Sequence, residues 1–328
     1  MEQEPTLIPP SMTARLTIEH GFGSLFSLAF NPAGTLLAGG GNVPVDGERG
    51  ATHGTMALWD ATTGREVRRF KAQSAPVMSV AFSPNGQLLA SASCALGRRA
   101  DARNAFMLWN VSTGRELFAA ASADILVRSV AFNPTGDLVA LTGLVGEHAV
   151  TMWDVASKTE MRPLRHTAPV NAVAFSHDGK LLAAGGNDHT LKVWEVATGQ
   201  EIATYHGWRA IHCVAFSPDD TLLVAGDAYG GMRVWEVTTG QERYSLFGPA
   251  DHTAYAVAFN DDGTLVAGAF GEEYSHFGSV LLWRIIAGTW RVSFTGITGA
   301  VMYAVAISPD GHTLASAGDE DLQLWHIT

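Results

Sequence analysis

Apolar and polar positions alternate over short segments along the whole chain, and polar turns separate these segments. In residues 80–86, Val-Ala-Phe-Ser-Pro-Asn-Gly, a strand-like alternation runs into a turn, and Leu88-Leu89-Ala90 follows it. A later segment, Leu191-Lys192-Val193-Trp194, is apolar up to its tryptophan and ends in the polar turn 197–200. Period-two alternation between Pro and Gly turns is typical of β-strands, and no segment has a helical period.

This pattern recurs seven times. In each repeat, a phenylalanine or isoleucine opens a turn that resembles Phe-x-Pro-x-Gly, and a tryptophan follows 18 to 29 residues later. The turn anchors are Phe30, Phe82, Phe132, Phe175, Phe216, Phe259 and Ile307, and the tryptophans are Trp59, Trp109, Trp153, Trp194, Trp235, Trp283 and Trp325. Such periodicity predicts an all-β, seven-bladed β-propeller with four antiparallel strands per blade.

The repeats resemble the Trp-Asp (WD) repeat family over residues 13–328. The name dipeptide is intact at Trp59-Asp60 and Trp153-Asp154, and the other five tryptophans precede a different residue. The family has a buried hydrogen-bond relay that joins a loop histidine, a strand hydroxyl, a turn aspartate and the tryptophan. The resemblance places His166, Asp188 and Trp194 in this relay, with Gly186 where the hydroxyl is expected. Phrases such as Val-Trp-Glu-Val-Ala-Thr-Gly-Gln are similar to bacterial members.

The resemblance also implies how the ring closes. The sequence ends just after the third strand of the last repeat, and residues 13–18 alternate polar and apolar positions. We therefore expect residues 13–19 to form the outer strand of the last blade, which removes an open sheet edge. Residues 1–12 are then a tail, and residues 13–328 form a single propeller.

Composition limits the location and the partners that we expect. The 328 residues have a formal net charge of −11, no apolar run of membrane-spanning length and an acidic N-terminus, so we expect a cytoplasmic protein that binds neither nucleic acid nor membranes. The two cysteines, Cys94 and Cys213, lie three repeats apart and are not expected to pair. We expect no cofactor and either a monomer or a module of a larger complex.

Three connections between second and third strands are longer than the others, those of blades one, two and six. They run from Gly41 to Gly54, from Ser93 to Asn104 and from Gly271 to Gly278. The resemblance places all of them on one face of the propeller, called the top. The second connection contains the cations Arg98 and Arg99, whereas the third contains two glutamates and Tyr274, so the two sides of this rim have opposite charge and can orient a partner.

A second candidate feature is the residue four positions before each turn anchor. These residues are Phe26, Met78, Arg128, Asn171, His212, Tyr255 and Tyr303, and Trp208 lies in the loop that enters blade five. Strand alternation places them on the same strand face as the packing valines, near the exposed strand end. Aromatic residues, Met and Arg are enriched in protein interfaces. We therefore predict a protein-interaction scaffold or adaptor that binds a peptide or protein surface at the top face, with Arg98, Arg99 and Tyr274 also in contact.

The sequence is also compatible with other functions. Long loops that fold inward would make a small-molecule-binding or enzymatic propeller with a walled pocket. Cys94 near arginines is a candidate nucleophile, and His252, Glu272, Glu273, His276 and His53 have residue types that suit zinc. Arginines of blades two and three could converge on one anion.

Overall fold

The computed structural model describes residues 12–44, 52–70, 73–94, 104–122, 127–143, 149–161, 163–272, 277–286, 289–298, 300–319 and 322–327. Within these ranges the chain forms seven antiparallel sheets and no helix. Each innermost strand contacts the innermost strands of the two neighbouring sheets, so the sheets close into a ring. The predicted seven-bladed β-propeller is confirmed.

The first strand, β1 (Met12–Ile18), belongs to blade seven. Blade one contains β2 (Ser24–Phe30), β3 (Leu36–Pro44), β4 (Thr52–Asp60) and β5 (Glu66–Arg69). Blade two contains β6 (Val77–Phe82), β7 (Leu88–Ser93), β8 (Asn104–Asn110) and β9 (Glu116–Ser122). Blade three contains β10 (Val127–Phe132), β11 (Leu138–Gly143), β12 (Ala149–Asp154) and two short outer segments, β13 (Thr159–Glu160) and β14 (Leu164–Arg165).

The remaining blades have the same strand order from the channel outward. Blade four contains β15 (Val170–Phe175), β16 (Leu181–Gly186), β17 (Thr190–Glu195) and β18 (Glu201–His206). Blade five contains β19 (Ile211–Phe216), β20 (Leu222–Asp227), β21 (Gly231–Glu236) and β22 (Glu242–Phe247). Blade six contains β23 (Thr253–Phe259), β24 (Leu265–Gly271), β25 (Gly278–Ile286) and β26 (Thr289–Thr298), and blade seven contains β27 (Met302–Ile307), β28 (Thr313–Gly318) and β29 (Leu322–Ile327).

The N-terminal strand closes the ring, as the sequence predicts. β1 is antiparallel to β29 and is the outer strand of blade seven, in the order β1-β29-β28-β27. It begins at Met12, one residue before the predicted start, and its two end residues, Met12 and Ile18, are buried. The pairing covers the edge of β29, which would otherwise expose unpaired backbone groups.

Each turn anchor is the last residue of an innermost strand, and each repeat tryptophan lies on a third strand. The turn after Phe82 shows why the motif ends in glycine. Gly86 has a φ of 68°, a left-handed conformation that glycine adopts without steric cost. The backbone N–H of Gly86 donates to the Ser83 carbonyl at 2.8 Å, and the Ser83 hydroxyl accepts from the backbone N–H of Leu88 at 2.9 Å.

The core lies between neighbouring blades rather than at the centre of the ring. Trp109 of blade two, for example, packs in one buried cluster with Met56, Leu58 and Phe70 of blade one. Trp59 lies in the corresponding cluster between blades seven and one, which also contains Ile18 of β1. Because every blade buries apolar surface against two neighbours, closure of the ring stabilises all of the blades.

The buried hydrogen-bond relay has a different distribution from the predicted one. In blade two, the Ser91 hydroxyl accepts from Trp109 Nε1 at 3.0 Å and from Gln73 Nε2 at 3.2 Å. In blade seven, Ser316 accepts from Trp325 Nε1 at 2.9 Å. Each serine lies two residues after the second-strand residue that pairs with the tryptophan of its blade. In blade four, Leu182 pairs with Trp194, so the equivalent position is Ala184.

The proposed place of Gly186 in the relay was therefore wrong, because the hydroxyl position lies two residues earlier on β16. His166 is nevertheless buried beside Trp194, and its Nδ1 lies 3.3 Å from Asp188 Oδ2. Burial lowers the pKa of His166, against the opposing effect of the Asp188 charge. Blade four thus keeps the histidine and aspartate of the relay without its hydroxyl.

Candidate functional site at the channel mouth

The seven residues that precede the turn anchors by four positions lie at one end of the central channel. Together they line a single cavity of about 320 Å³, and we call them the mouth ring. A second cavity of about 220 Å³ continues below them, between the innermost strands. The sequence thus identified a set of residues that the fold brings together from all seven blades.

The prediction that these residues share a face with the packing valines was wrong, because each of them lies at a β-bulge. In blade two, Val77 pairs with Ser93 and Ser79 pairs with Ala92, so Met78 is an extra residue between consecutive pairs. The same irregularity occurs in all seven innermost strands, at or next to the ring residue. A bulge redirects a side chain without ending the ladder, and here Val77 and Val80 stay buried while Met78 lines the channel.

Serines that follow the ring residues connect neighbouring blades. The Ser27 hydroxyl accepts from the backbone N–H of Val80 at 3.0 Å, and Ser79 accepts from that of Val130 at 3.2 Å. Ser129 accepts from Val173 at 3.3 Å in the same way. These bonds hold the innermost strands of blades one to four at fixed relative positions below the mouth.

An aromatic half of the mouth ring extends over blades five, six, seven and one. The ring centroids of Phe26 and Tyr303 are 5.2 Å apart, those of Tyr303 and Tyr255 are 5.1 Å apart, and those of Tyr255 and His212 are 6.2 Å apart. Tilted and edge-on aromatic contacts at these distances stabilise one another and make a rigid apolar surface. All four side chains are partly exposed to the mouth.

A polar half lies on blades three and four. Arg128 Nη1 donates to Asn171 Oδ1 at 3.3 Å. Asn171 is buried, and its Nδ2 donates to Asn187 Oδ1 at 2.7 Å and to the Ile211 carbonyl at 2.8 Å. The two bonds fix the orientation of the Asn171 amide, so its oxygen faces the guanidinium of Arg128.

His212 joins the two halves and is neutral at neutral pH. Burial lowers the pKa of His212 to about 4, the positive charge of Arg128 acts in the same direction, and the charge of Asp227 opposes them. A neutral imidazole both donates and accepts hydrogen bonds. Arg128 is therefore the cation of the mouth ring, whose other members are neutral at this pH.

Trp208 lies outside the mouth, in an aromatic cluster on blade five. It stacks on Phe247 with ring centroids 5.8 Å apart, and the guanidinium of Arg233 lies 3.7 Å from its ring centroid. In the adjacent turn, the guanidinium of Arg209 lies 4.8 Å from the ring centroid of Tyr229. Trp208, Tyr229 and Phe247 are 49%, 57% and 58% exposed, so the cluster is a marked apolar surface at the mouth end of this blade. Sequence reasoning found only Trp208, because Phe247 is 39 residues away and only the strand pairing brings it close.

The three long connections are described only in part. β3 and β4 extend the hairpin of blade one, with Pro44 paired to Thr52, so part of the segment from Gly41 to Gly54 is regular strand. The candidate contact residues Arg98, Arg99 and Tyr274 lie outside the described residues. Glu273 and His276 of the candidate zinc cluster do as well, and among the described residues no three His, Cys, Asp or Glu side chains are grouped to hold a metal ion.

Neither cysteine has the surroundings of a nucleophile. Burial raises the pKa of the Cys94 thiol, although the charge of Arg128 opposes this effect. Burial also raises the pKa of Cys213 to about 12, and its thiol donates to the Ala254 carbonyl at 3.4 Å. Both thiols are protonated at neutral pH, whereas the thiolate is the reactive form.

In the part of the chain that the structure describes, no helix has the length and apolar character needed to cross a membrane. No curated protein sequence matches the chain.

A protein-family model, the WD domain or G-beta repeat, matches four segments: residues 64–95, 159–195, 199–236 and 288–326. Each match begins at or just before the outer strand of one blade. Three matches end at the third strand of the following blade, and the match over residues 64–95 ends after the second strand of blade two. Each sequence repeat is thus shifted by one strand relative to a blade. Because of this shift, β1 supplies the outer strand of blade seven. These four matches, together with the seven blades in which they lie, support assignment of the chain to the WD-repeat family.

Proposed function

We propose that this protein is a protein-interaction scaffold whose mouth ring binds a peptide segment or protein surface of a partner. WD-repeat propellers generally serve as interaction scaffolds. The observation that carries the proposal is the set of seven bulges, which direct seven non-equivalent side chains into one cavity. A continuous aromatic half beside an oriented arginine has the composition of an interface hot spot.

The size of the cavity supports binding of a segment rather than enclosure of a large ligand. A volume of about 320 Å³ is at the lower end of the roughly 300–1,000 Å³ that is usual for ligand pockets, so the cavity has room for a small group such as side chains of a partner. The Trp208 cluster lies at the mouth end of blade five, so a longer partner that enters the mouth can also contact this exposed surface. Aromatic anchors lose little conformational entropy on binding because they are already packed against one another.

The test is affinity capture from native lysate with three baits: the wild type, the double variant Tyr255→Ala/Tyr303→Ala and the double variant Val67→Ala/Ile202→Ala. Val67 and Ile202 are each 52% exposed on outer strands of other blades, so the third bait is a matched truncation of the side surface. Each bait is first checked for a cooperative thermal transition. We expect partners that are retained by the side variant and lost from the mouth variant.

Partners that are lost only from the side variant would refute binding at the mouth. If all three folded baits retain the same proteins, the mouth ring is not the binding site. A thermal-shift screen of metabolites then tests the small-molecule alternative.

A further inference from the structure

Arg128 is a cation for which the described part of the chain provides no ion-pair partner. Its Nε is buried and has no hydrogen-bond acceptor among the described residues, and its Nη1 has only the amide oxygen of Asn171. By contrast, Arg69, Arg233 and Arg243 each pair with a glutamate. A partly buried guanidinium with unused donors is strongly stabilised by an anion that accepts from several of them.

Asp227 of blade five and Asp188 of blade four each accept hydrogen bonds from other donors. Asp227 Oδ1 accepts from the backbone N–H groups of Tyr229 and Gly231, at 2.9 and 3.0 Å. Asp188 accepts from Thr190 and Thr167 and lies against His166. The other mouth-ring residues bring no acidic side chain, in a protein whose formal net charge is −11. Among the described residues, the side chains that line the mouth therefore include one cation, Arg128, and no carboxylate.

The amide of Asn171 makes this charge directional. Because Asn171 is fixed by Asn187 and the Ile211 carbonyl, it holds one edge of the guanidinium of Arg128, a residue that lines the cavity. Neutral His212 lies next round the ring and adds no competing charge. A planar, oriented guanidinium is suited to bidentate recognition of a carboxylate.

The opposite half of the ring selects a different group. Phe26, Tyr303 and Tyr255 form the apolar surface described above, and Met78 lies between this surface and Arg128. A ligand that satisfies both halves carries a carboxylate and an apolar side chain a short distance apart.

On the basis of the proposed function, we infer that the partner segment inserts an Asp or Glu side chain beside Arg128 and packs a neighbouring apolar side chain on the aromatic half of the mouth ring. The binding site is thus specific for an acidic and apolar residue pair within one peptide. The acidic side chain supplies a charged acceptor for the guanidinium of Arg128 at the cavity, and the apolar side chain covers the aromatic surface.

The experiment is selection from a phage library of random 12-residue peptides. Each peptide is fused at its C-terminal end and so has no free terminal carboxylate, which leaves Asp and Glu side chains as its carboxylates. The wild type, Arg128→Gln, Arg128→Lys and Tyr255→Ala/Tyr303→Ala are used in parallel. The most enriched peptide is then synthesised with its acidic residue and with the matching amide, and Kd is measured by fluorescence anisotropy at low and high NaCl.

We expect enrichment of Asp or Glu next to an apolar residue on the wild type. We also expect the amide peptide to bind the wild type about tenfold or more weakly than the acidic peptide, and Arg128→Gln to bind both with similar Kd values. Arg128→Lys keeps part of the preference because it keeps the charge, and the preference decreases as NaCl rises. The comparison of two peptides on one variant is independent of any change in that variant's stability.

Three outcomes overturn the inference. If peptides that need Tyr255 and Tyr303 are enriched without an acidic residue, or if the acidic preference persists in Arg128→Gln, the proposed function stands and the role of Arg128 is wrong. If no enriched peptide depends on the mouth ring, both the proposed function and the inference fail.

Discussion

Acidification is expected to destabilise the propeller through His212. The folded protein holds the pKa of this residue at about 4, whereas an unfolded chain has the ordinary value of about 6.5. Between these values the unfolded state binds more protons, so the contribution of neutral His212 to stability is complete above about pH 6.5 and decreases as pH falls toward 4. The two pKa values imply a loss of about 2 kcal/mol at pH 5 relative to pH 7.

The assay is urea denaturation of the wild type and of His212→Gln at pH 7 and pH 5. The variant keeps a hydrogen-bonding side chain that does not titrate, so all other pH effects are common to both proteins. We expect the wild type to lose about 2 kcal/mol more than the variant over this interval. A second variant, Arg128→Gln, removes a charge that lowers the pKa of His212, and its His212 resonances should titrate at a higher pH in an NMR experiment.

Equal pH dependence of the free energy of unfolding in the wild type and His212→Gln would refute this reasoning. So would a wild-type His212 that titrates near pH 6.5, because burial and Arg128 would then not control its protonation.

Two further predictions concern the fold, and each has a matched comparison. Ile18→Ala truncates a buried residue of the closing strand and should lower the free energy of unfolding by about 2–5 kcal/mol. Thr17→Ala, on the exposed face of the same strand, should change it by less than about 0.5 kcal/mol. Denaturant titration measures both values, and similar small effects would show that β1 does not hold the ring closed. Ser91→Ala leaves two donors, Trp109 Nε1 and Gln73 Nε2, without their acceptor, and should cost about 1–3 kcal/mol. Ser316→Ala removes the acceptor of one indole and should cost less, so an equal or reversed order of melting temperatures would contradict the relay assignment.

The sequence predicted the features of the fold that depend on local chemistry. The turn anchors, the tryptophans and the closing strand are each encoded within a few residues, by a Pro-Gly turn or by alternation. The hydroxyl position of the relay was misplaced by two residues in blade four. It depends on which residue of β16 faces Lys192, and this register is set by pairing between strands rather than by either strand alone.

The candidate site was predicted as a set of positions but not as a geometry. Counting four residues back from each anchor gave the mouth ring, although ideal alternation would turn the side chains into the blade interfaces. The bulges depend on the pairing of two strands and have no signature in one of them. The state of His212 was equally hidden, because it depends on burial and on Arg128, which lies two blades away.

The bulges have a consequence for how such a protein can change. The residues before and after each bulge make the paired contacts of the ladder, as Val77 and Ser79 do in blade two, and Met78 between them contributes no pair. A substitution at a bulge position such as Met78 therefore alters the chemistry of the mouth with little demand on the ladder of the sheet that carries it. Recognition and folding are encoded at separate positions of the same strand, so one scaffold can acquire new partners by single exchanges.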